Sequence, residues 1–130
     1  MVVKKNNIFC LAIVLFCAGL VQAQVGQFDA NGDLVRISNL KKYRDAPNCG
    51  AKRTFVGVII EVINYDSDNE SGFEFVLKLA SGKKQKIIGF FTWGGRVKFD
   101  DVNRLLQNQR RLSVVARRCG DYFAEDIRRL

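Results

Sequence analysis

The stretch that decides the fold, Thr54 to Phe91, reads TFVGVIIEVINY, DSDNESG, FEFVLKLA, SGK and KQKIIGFF in turn. Three runs rich in β-branched and aromatic residues are separated by one polar loop and by one short turn that contains Gly. Runs of this composition and length, bounded by turn residues, are typical of antiparallel strands joined by hairpins. We therefore predict a three-stranded meander over this stretch.

The first predicted strand, Thr54–Tyr65, is apolar on both faces. Such a strand is buried on both sides or passes from one sheet into another. Gly57 lies within it and predicts a bulge or a sharp bend, which small closed barrels use to turn a corner.

The second predicted strand, Phe73–Ala80, follows the alternation expected of a sheet with one core face. The third, Lys84–Phe91, begins with exposed lysines and ends in Ile87-Ile88-Gly89-Phe90-Phe91. In the third strand, the neighbours Phe90 and Phe91 point in opposite directions, so only one of them can face outward. The predicted inward set of the second strand is Phe73, Phe75, Leu77 and Leu79.

Three further elements are predicted after the meander. The segment Phe99–Gln107 carries its apolar residues at helical spacing, and acidic residues in its first turn favour a helix. The segments Arg111–Arg118 and Tyr122–Leu130 alternate as strands, joined by a turn at Gly120. The predicted order is therefore three strands, one helix and two strands, and the added core residues are Phe99, Val102, Leu105, Leu106, Leu112, Val114, Ala116, Phe123 and Ile127.

The first 23 residues have the organisation of a secretory signal peptide. Lys4 and Lys5 form a positive start, Ile8–Leu20 is an apolar run of 13 residues, and Val21-Gln22-Ala23 fits a cleavage site. Because this run is shorter than the roughly 20 residues that span a bilayer, a signal peptide is favoured over a membrane anchor. We expect an exported mature chain, periplasmic or secreted, that begins near Gln24 and has no transmembrane anchor.

Residues 24–53 are predicted as a lead-in of irregular structure. Asp29–Gly32 indicates a turn, and Leu34–Ile37 could form a short extended piece. Ser38–Tyr43 is interpreted as a short helix or turn, with Ser38 as a candidate cap. The basic residues of this segment are interpreted as a solvated surface.

Removal of the signal peptide leaves two cysteines, Cys49 and Cys119. In an exported protein, an even pair favours a disulfide. A zinc site is disfavoured, because zinc needs about four ligands and the chain offers two cysteines and no His. A catalytic cysteine is disfavoured as well, because it would have no His as its base.

The order β-β-β-α-β-β, with a long first strand, resembles the oligonucleotide/oligosaccharide-binding fold, the OB-fold. The segment RISNLKKYRDAPNCGAKRTFVGVIIEVI followed by FEFVLKLASGKKQKI looks like the lead-in and first three strands of small exported bacterial OB-fold proteins. The ending SVVARRCGDYFAEDIRRL looks like their last two strands. The resemblance covers Ile37–Leu130 and implies an all-β-dominated, five-stranded Greek-key barrel with one short helix over residues 54–130.

The OB-fold also implies where the two cysteines lie, because its first strand runs antiparallel to its fourth. Cys49, just before the first strand, is then expected beside Cys119, just after the fourth. Cα atoms more than about 7 Å apart would exclude this disulfide.

Net charge and the resemblance together direct the functional prediction to an anionic ligand. The chain has 21 basic and 13 acidic residues, and Lys4 and Lys5 fall in the predicted signal peptide, which leaves 19 against 13. This balance suits nucleic acid, an anionic glycan or an acidic membrane surface, and it also serves solubility. OB-folds bind on the face of strands two and three and between two loops, so the resemblance implies the ligand-binding residues Lys78, Lys84, Lys86, Phe90, Trp93, Arg117, Arg118 and Tyr122.

No catalytic residue, metal site or cofactor is predicted, since the chain lacks His, a nucleophile elbow and a phosphate-binding Gly loop. The acidic loop Asp66–Glu70 misses the EF-hand spacing and is interpreted as a hairpin tip, which would repel phosphates at one edge of the groove. Three functions stay open. The first is a non-catalytic OB-fold protein that binds an oligosaccharide, single-stranded nucleic acid or an envelope component. The second is a structural or protein-interaction module of the cell envelope. The third is a Ca²⁺-dependent nuclease-like enzyme.

Overall fold

A computed structural model describes residues 24–40, 49–66, 70–92 and 97–130 of the chain. These residues form seven strands and one helix. In chain order the elements are β1 (Val25–Phe28), β2 (Leu34–Ser38), β3 (Lys52–Asp66), β4 (Glu70–Leu79), β5 (Lys84–Thr92), α1 (Phe99–Leu105), β6 (Arg111–Cys119) and β7 (Asp121–Arg129).

Five of the strands close into a barrel in the order β3-β4-β5-β7-β6 and back to β3. Neighbours in this ring are antiparallel except β5 and β7, which pair in parallel at Ile88 and Phe123. The helix α1 lies between β5 and β6 in the chain. The structure thus confirms the predicted all-β closed barrel with one short helix, and it is compatible with an OB-like fold.

The residues before the barrel form a β-hairpin that continues the barrel sheet. β1 pairs with β2, and β2 pairs antiparallel with β7, where Ile37 lies opposite Ile127. Leu34, Ile37 and Leu40 are almost fully buried in the main hydrophobic core. The hairpin is therefore part of the fold, whereas the sequence predicted only a short extended piece and a turn in this region.

The turn of this hairpin is built around Asp29, as the turn signal predicted. Its carboxylate accepts hydrogen bonds from the backbone N–H groups of Asn31 and Asp33 at 2.9 and 3.0 Å. These bonds, with a contribution from Arg129, hold the pKa of Asp29 below its ordinary value. Gly32 completes the turn with a φ of 82°, a conformation that glycine adopts without strain.

Ser38 is the last residue of β2 and does not cap a helix, because its backbone pairs with Val25 and Asp126 on the two sides of the strand. Asn39, the next residue, has a φ of 59°, which is not helical. Residues 41–43 of the predicted helix or turn lie outside the described residues. The predicted signal peptide, residues 1–23, lies outside them as well.

β3 is bent by a bulge near Ile60 rather than at Gly57. Ile59 lies opposite Leu77 of β4, but Glu61 lies opposite Val76, so β3 has one extra residue between these pairs. An extra residue changes which side chains face the core beyond it.

The outer face of β3 is partly exposed, which excludes burial on both faces, the first of the two alternatives predicted for this strand. Val56 is 40% exposed and Ile63 is 49% exposed. Gly57 allows a close backbone approach, since a Cβ at this position would lie only 2.6 Å from the carbonyl oxygen of Lys78.

The predicted inward faces of β4, β6 and β7 are confirmed. In β5, Phe91 is fully buried while Phe90 is half-buried, so the two neighbours do point in opposite directions. Gly89 lies against the ring of Phe73, where a Cβ would meet ring carbons at 2.1 Å. Buried core residues that agree with the prediction are Phe73, Phe75, Leu77, Val102, Leu105, Leu106, Leu112, Val114, Ala116, Phe123 and Ile127, while Leu79 and Phe99 are partly buried against them.

The helix α1 begins at Phe99, as predicted, and ends at Leu105, two residues before the predicted end. The carboxylate of Asp101 accepts a hydrogen bond from the backbone N–H of Lys98 at 2.9 Å, which satisfies a donor at the helix N-terminus. Asp101 also accepts from Arg104 at 2.7 Å. The acidic first turn therefore has the role that the sequence indicated.

Cys49 and Cys119 form a disulfide, and their Cα atoms are 4.9 Å apart. This confirms the predicted pairing and its position where β3 and β6 close the barrel. Among the described residues, no helix is long and apolar enough to cross a membrane.

Candidate anion-binding cleft

One end of the barrel opens as a cleft of about 290 Å³, which we name the basic cleft. Three segments meet there, namely the start of β3, the beginning of β5 with its preceding turn, and the β6–β7 turn. The lining residues are Arg53, Lys83, Gln85, Lys86, Arg118, Gly120, Asp121 and Tyr122. Four cationic side chains against one carboxylate give this cleft a positive charge.

Two aromatic rings hold the guanidinium groups of the basic cleft. The rings of Phe55 and Tyr122 pack edge to face with their centroids 4.9 Å apart. Arg53 lies over the Phe55 ring at 5.2 Å and donates a hydrogen bond to the Tyr122 hydroxyl at 3.1 Å. Arg118 lies over the Tyr122 ring at 6.0 Å. Because these partners are neutral, they orient both cations without neutralising their charge.

Lys86 lies between two carboxylates at the same end of the barrel. Its Nζ is 3.7 Å from an oxygen of Glu74 and 3.7 Å from an oxygen of Asp121. Its side chain is 45% exposed, and ion pairs of this length and exposure are weak. An anion in the cleft therefore competes with these two carboxylates for Lys86.

The disulfide ties together two of the segments that line the cleft. Cys119 precedes Gly120, whose φ of 79° makes the tight β6–β7 turn. Next to Cys49, the backbone N–H of Gly50 donates to the carbonyl oxygen of Arg118 at 2.9 Å. The strand that leads to Arg53 and the turn that carries Arg118 are thus fixed to each other.

Glu125 of β7 binds two cations that lie outside the basic cleft. Its side chain is only 12% exposed and accepts from Arg117 Nε at 3.1 Å, while Lys52 Nζ lies 3.2 Å away. Burial alone raises the pKa of Glu125, but the hydrogen bonds from Arg117 and Lys52 outweigh it and hold the pKa below its ordinary value. Arg117 also donates to the carbonyl oxygen of Gly50 at 3.3 Å, so its side chain has a structural role.

The basic cleft gathers three of the predicted ligand-binding residues, Lys86, Arg118 and Tyr122. Lys78 and Lys84 are exposed and lie opposite each other in the β4–β5 register, outside the cleft lining. They remain candidates for a wider surface and do not belong to the cleft.

The other two aromatic residues predicted to bind the ligand, Phe90 and Trp93, have different outcomes. Phe90 is half-buried and stacks on Phe123 of β7, with the ring centroids 6.0 Å apart and the ring planes inclined by 20°. Trp93 lies outside the described residues.

The residues of the cleft that the sequence did not single out as ligand-binding are Arg53, Lys83, Gln85, Gly120 and Asp121. Arg53 lies two residues before the buried Phe55, so alternation places both side chains on the same face of β3. That signal was present in the sequence, but it required β3 to begin at Lys52 rather than Thr54.

No group of side chains that could hold a metal ion occurs among the described residues. The tip of the acidic loop, residues 67–69, is outside them, so its interpretation as a hairpin tip stays a prediction.

Comparisons of the chain with protein-family models, with curated proteins and with solved structures found no match. The function is therefore inferred from the geometry of the site.

Proposed function

We propose that this chain is an exported OB-fold protein that binds an anionic ligand in its basic cleft and catalyses no reaction. The convergence of Arg53, Lys83, Lys86 and Arg118 at one end of the barrel is the observation that carries the proposal. A phosphate, sulfate or carboxylate group fits such a site, because guanidinium groups donate paired hydrogen bonds to planar and tetrahedral oxyanions.

Two further observations support the OB-fold and export parts of the proposal. The parallel pairing of β5 with β7, the antiparallel pairing of β3 with β6, and a helix before β6 are the arrangement expected of that fold. The signal-like first 23 residues and the Cys49–Cys119 disulfide favour an oxidising compartment. Export favours an envelope glycan, an acidic envelope component or extracellular nucleic acid as the ligand.

The proposal is tested with the oxidised mature chain, beginning near Gln24, and two polyanions, a single-stranded oligonucleotide and a sulfated oligosaccharide. Binding is measured at low salt for the natural chain and for the double variant Arg53→Glu plus Arg118→Glu. Two charge-assisted hydrogen bonds are worth about 3 kcal/mol, so we expect the double variant to bind about 100-fold more weakly.

A matched control is the double variant Lys98→Glu plus Arg128→Glu, which changes the net charge equally but alters residues outside the cleft lining. We expect it to retain much more affinity than the cleft double variant, because Lys98 and Arg128 do not line the cleft and their charges act on a bound anion only through the long-range field. Equal loss in both double variants would show that net charge alone attracts the polyanion. The absence of binding to either polyanion would also contradict the proposal.

A further inference from the structure

The edge of β3 that borders the basic cleft has no strand beside it in the described part of the chain. Residues Lys52–Val56 pair with β6 on one side. On the other side, β4 pairs with β3 only from Gly57 onward. We call residues Lys52–Val56 the open edge.

Every second residue of the open edge directs its backbone groups towards the free side. The N–H of Ile59 donates to the carbonyl oxygen of Arg110 at 2.9 Å, and its carbonyl oxygen accepts from Gln109 at 2.8 Å, so both groups point to the β6 side. These directions alternate along an antiparallel strand, and the β3–β6 register is unbroken from Lys52 to Val58. Thr54 therefore directs its N–H and C=O groups away from β6, where an added strand would pair with them.

The two faces of the open edge differ in chemistry. On the outer face, Val56 and Val58 line a groove of about 560 Å³ together with Leu79 and Ala80, and Val56 is 40% exposed. On the opposite face, Arg53 lines the basic cleft. A strand laid along this edge would direct alternate side chains into a groove that is apolar apart from Lys78 and Arg111, and into a cationic cleft.

We propose that the open edge docks an extended segment of a partner protein in which acidic and apolar residues alternate. The docked segment adds a strand to β3, its apolar side chains enter the outer groove, and its carboxylates enter the basic cleft. This inference rests on the proposed function, since it names the class of anion that the cleft receives.

The charge of the open edge also discriminates among strands. Lys52 and Arg53 lie on the edge, and Arg111 and Lys78 line the outer groove. Cations on an edge oppose pairing with a second copy of this chain, whose edge carries the same charges, and they attract an acidic strand. An acidic partner is therefore favoured over self-association.

The test compares two short capped peptides of identical composition, one that alternates Asp and Val and one in which all Asp precede all Val. Both are titrated into the oxidised mature chain. We expect the alternating peptide to bind at least about fivefold more tightly, because the block peptide cannot separate its acidic and apolar side chains on two faces. Equal affinities would overturn the inference.

The variant Thr54→Pro removes a backbone N–H from the free side of the edge, a position where proline is tolerated. We expect it to weaken the alternating peptide by about fivefold or more, since one hydrogen bond is lost, while Thr54→Val retains full affinity. As a second variant, Val56→Asn makes the outer groove polar and should weaken the same peptide while leaving the block peptide unchanged. Unaltered binding of the alternating peptide in both Thr54→Pro and Val56→Asn would overturn the inference.

The double variant Arg53→Glu plus Arg118→Glu separates failure of this inference from failure of the proposed function. If the natural chain binds the two peptides with equal affinity and the double variant binds neither, the cleft binds anions but strand addition is wrong. If the double variant leaves binding of peptides and polyanions unchanged, the proposed function is wrong and the inference fails with it.

Discussion

Glu125 divides the cations on this side of the molecule into two groups. Lys52 and Arg117 bind this nearly buried carboxylate, whereas Arg53 and Arg118 have neutral aromatic partners. Alternation places Arg117 and Arg118, neighbours in β6, on opposite faces, but it does not show which of them meets a carboxylate. The separation depends on a β-bulge, since Val115 lies opposite Asp126 but Ala116 lies opposite Ala124, and Glu125 is the extra residue.

We predict that Glu125→Gln lowers the free energy of unfolding by about 1–2 kcal/mol at neutral pH, because bonds to a charged acceptor are lost. The folded-state pKa of Glu125 is below its ordinary value of 4.5, so its stabilising effect is present above that value and is lost as the pH falls through the lower folded pKa. Urea unfolding across this range should show a difference between natural chain and variant that shrinks in acid. A difference that grows in acid would contradict the assignment.

Gly89 has no room for a side chain, because the ring of Phe73 packs directly against its Cα. We predict that Gly89→Ala lowers the free energy of unfolding by about 1–3 kcal/mol, because the added methyl overlaps the buried Phe73 ring. Gly50→Ala is the control, since its nearest heavy atom would be 3.6 Å away. Thermal unfolding of both variants checks this, and equal stability would show that Phe73 moves at no cost.

At the scale of elements, the N-terminal hairpin shows where the sequence was least informative. β1 and β2 have four and five residues, and such short runs carry little periodicity. Their burial depends on β7, which is about 90 residues away in the chain and binds Arg36 through Asp126. The barrel strands were predictable because each is a long run that either alternates or is rich in β-branched residues, whereas the bulge near Ile60 was not, because it depends on the register with β4.

We predict that Ile37→Ala lowers the free energy of unfolding by about 2–5 kcal/mol, as for other fully buried large residues. Val25→Ala, at a side chain that is 53% exposed in the same hairpin, should change it by less than about 0.5 kcal/mol. Denaturant unfolding distinguishes the two cases. Similar small effects at both positions would mean that the hairpin is not part of the cooperative fold.

The disulfide joins residues 70 positions apart and closes the barrel next to the basic cleft. In the chain-entropy account, a loop of this length stabilises the fold by roughly 4 kcal/mol. We therefore predict that Cys49→Ser plus Cys119→Ser lowers the free energy of unfolding by roughly this amount. A reductant should lower the stability of the natural chain to that of the variant, and insensitivity to reductant would contradict the prediction.

At the scale of the whole molecule, the sequence predicted the barrel better than it predicted the cleft. The order of strands and the helix follows from local patterns, and the cysteine pair follows from the fold that this order resembles. The cleft combines the start of β3, the start of β5 and the β6–β7 turn, which only the barrel brings together. Lys86, Arg118 and Tyr122 could be predicted from a known binding face, while Arg53 needed the correct start of β3.

The central claim is that the basic cleft binds anions through its own cations, and the salt dependence of oligonucleotide binding tests it most directly. Each phosphate contact on a single strand contributes about 0.7 to the slope of log affinity against log salt. With four cations in the cleft, we predict a slope of about −3 for the natural chain, falling to about half in Arg53→Glu plus Arg118→Glu. A slope near zero, or one that the double variant leaves unchanged, would contradict the account.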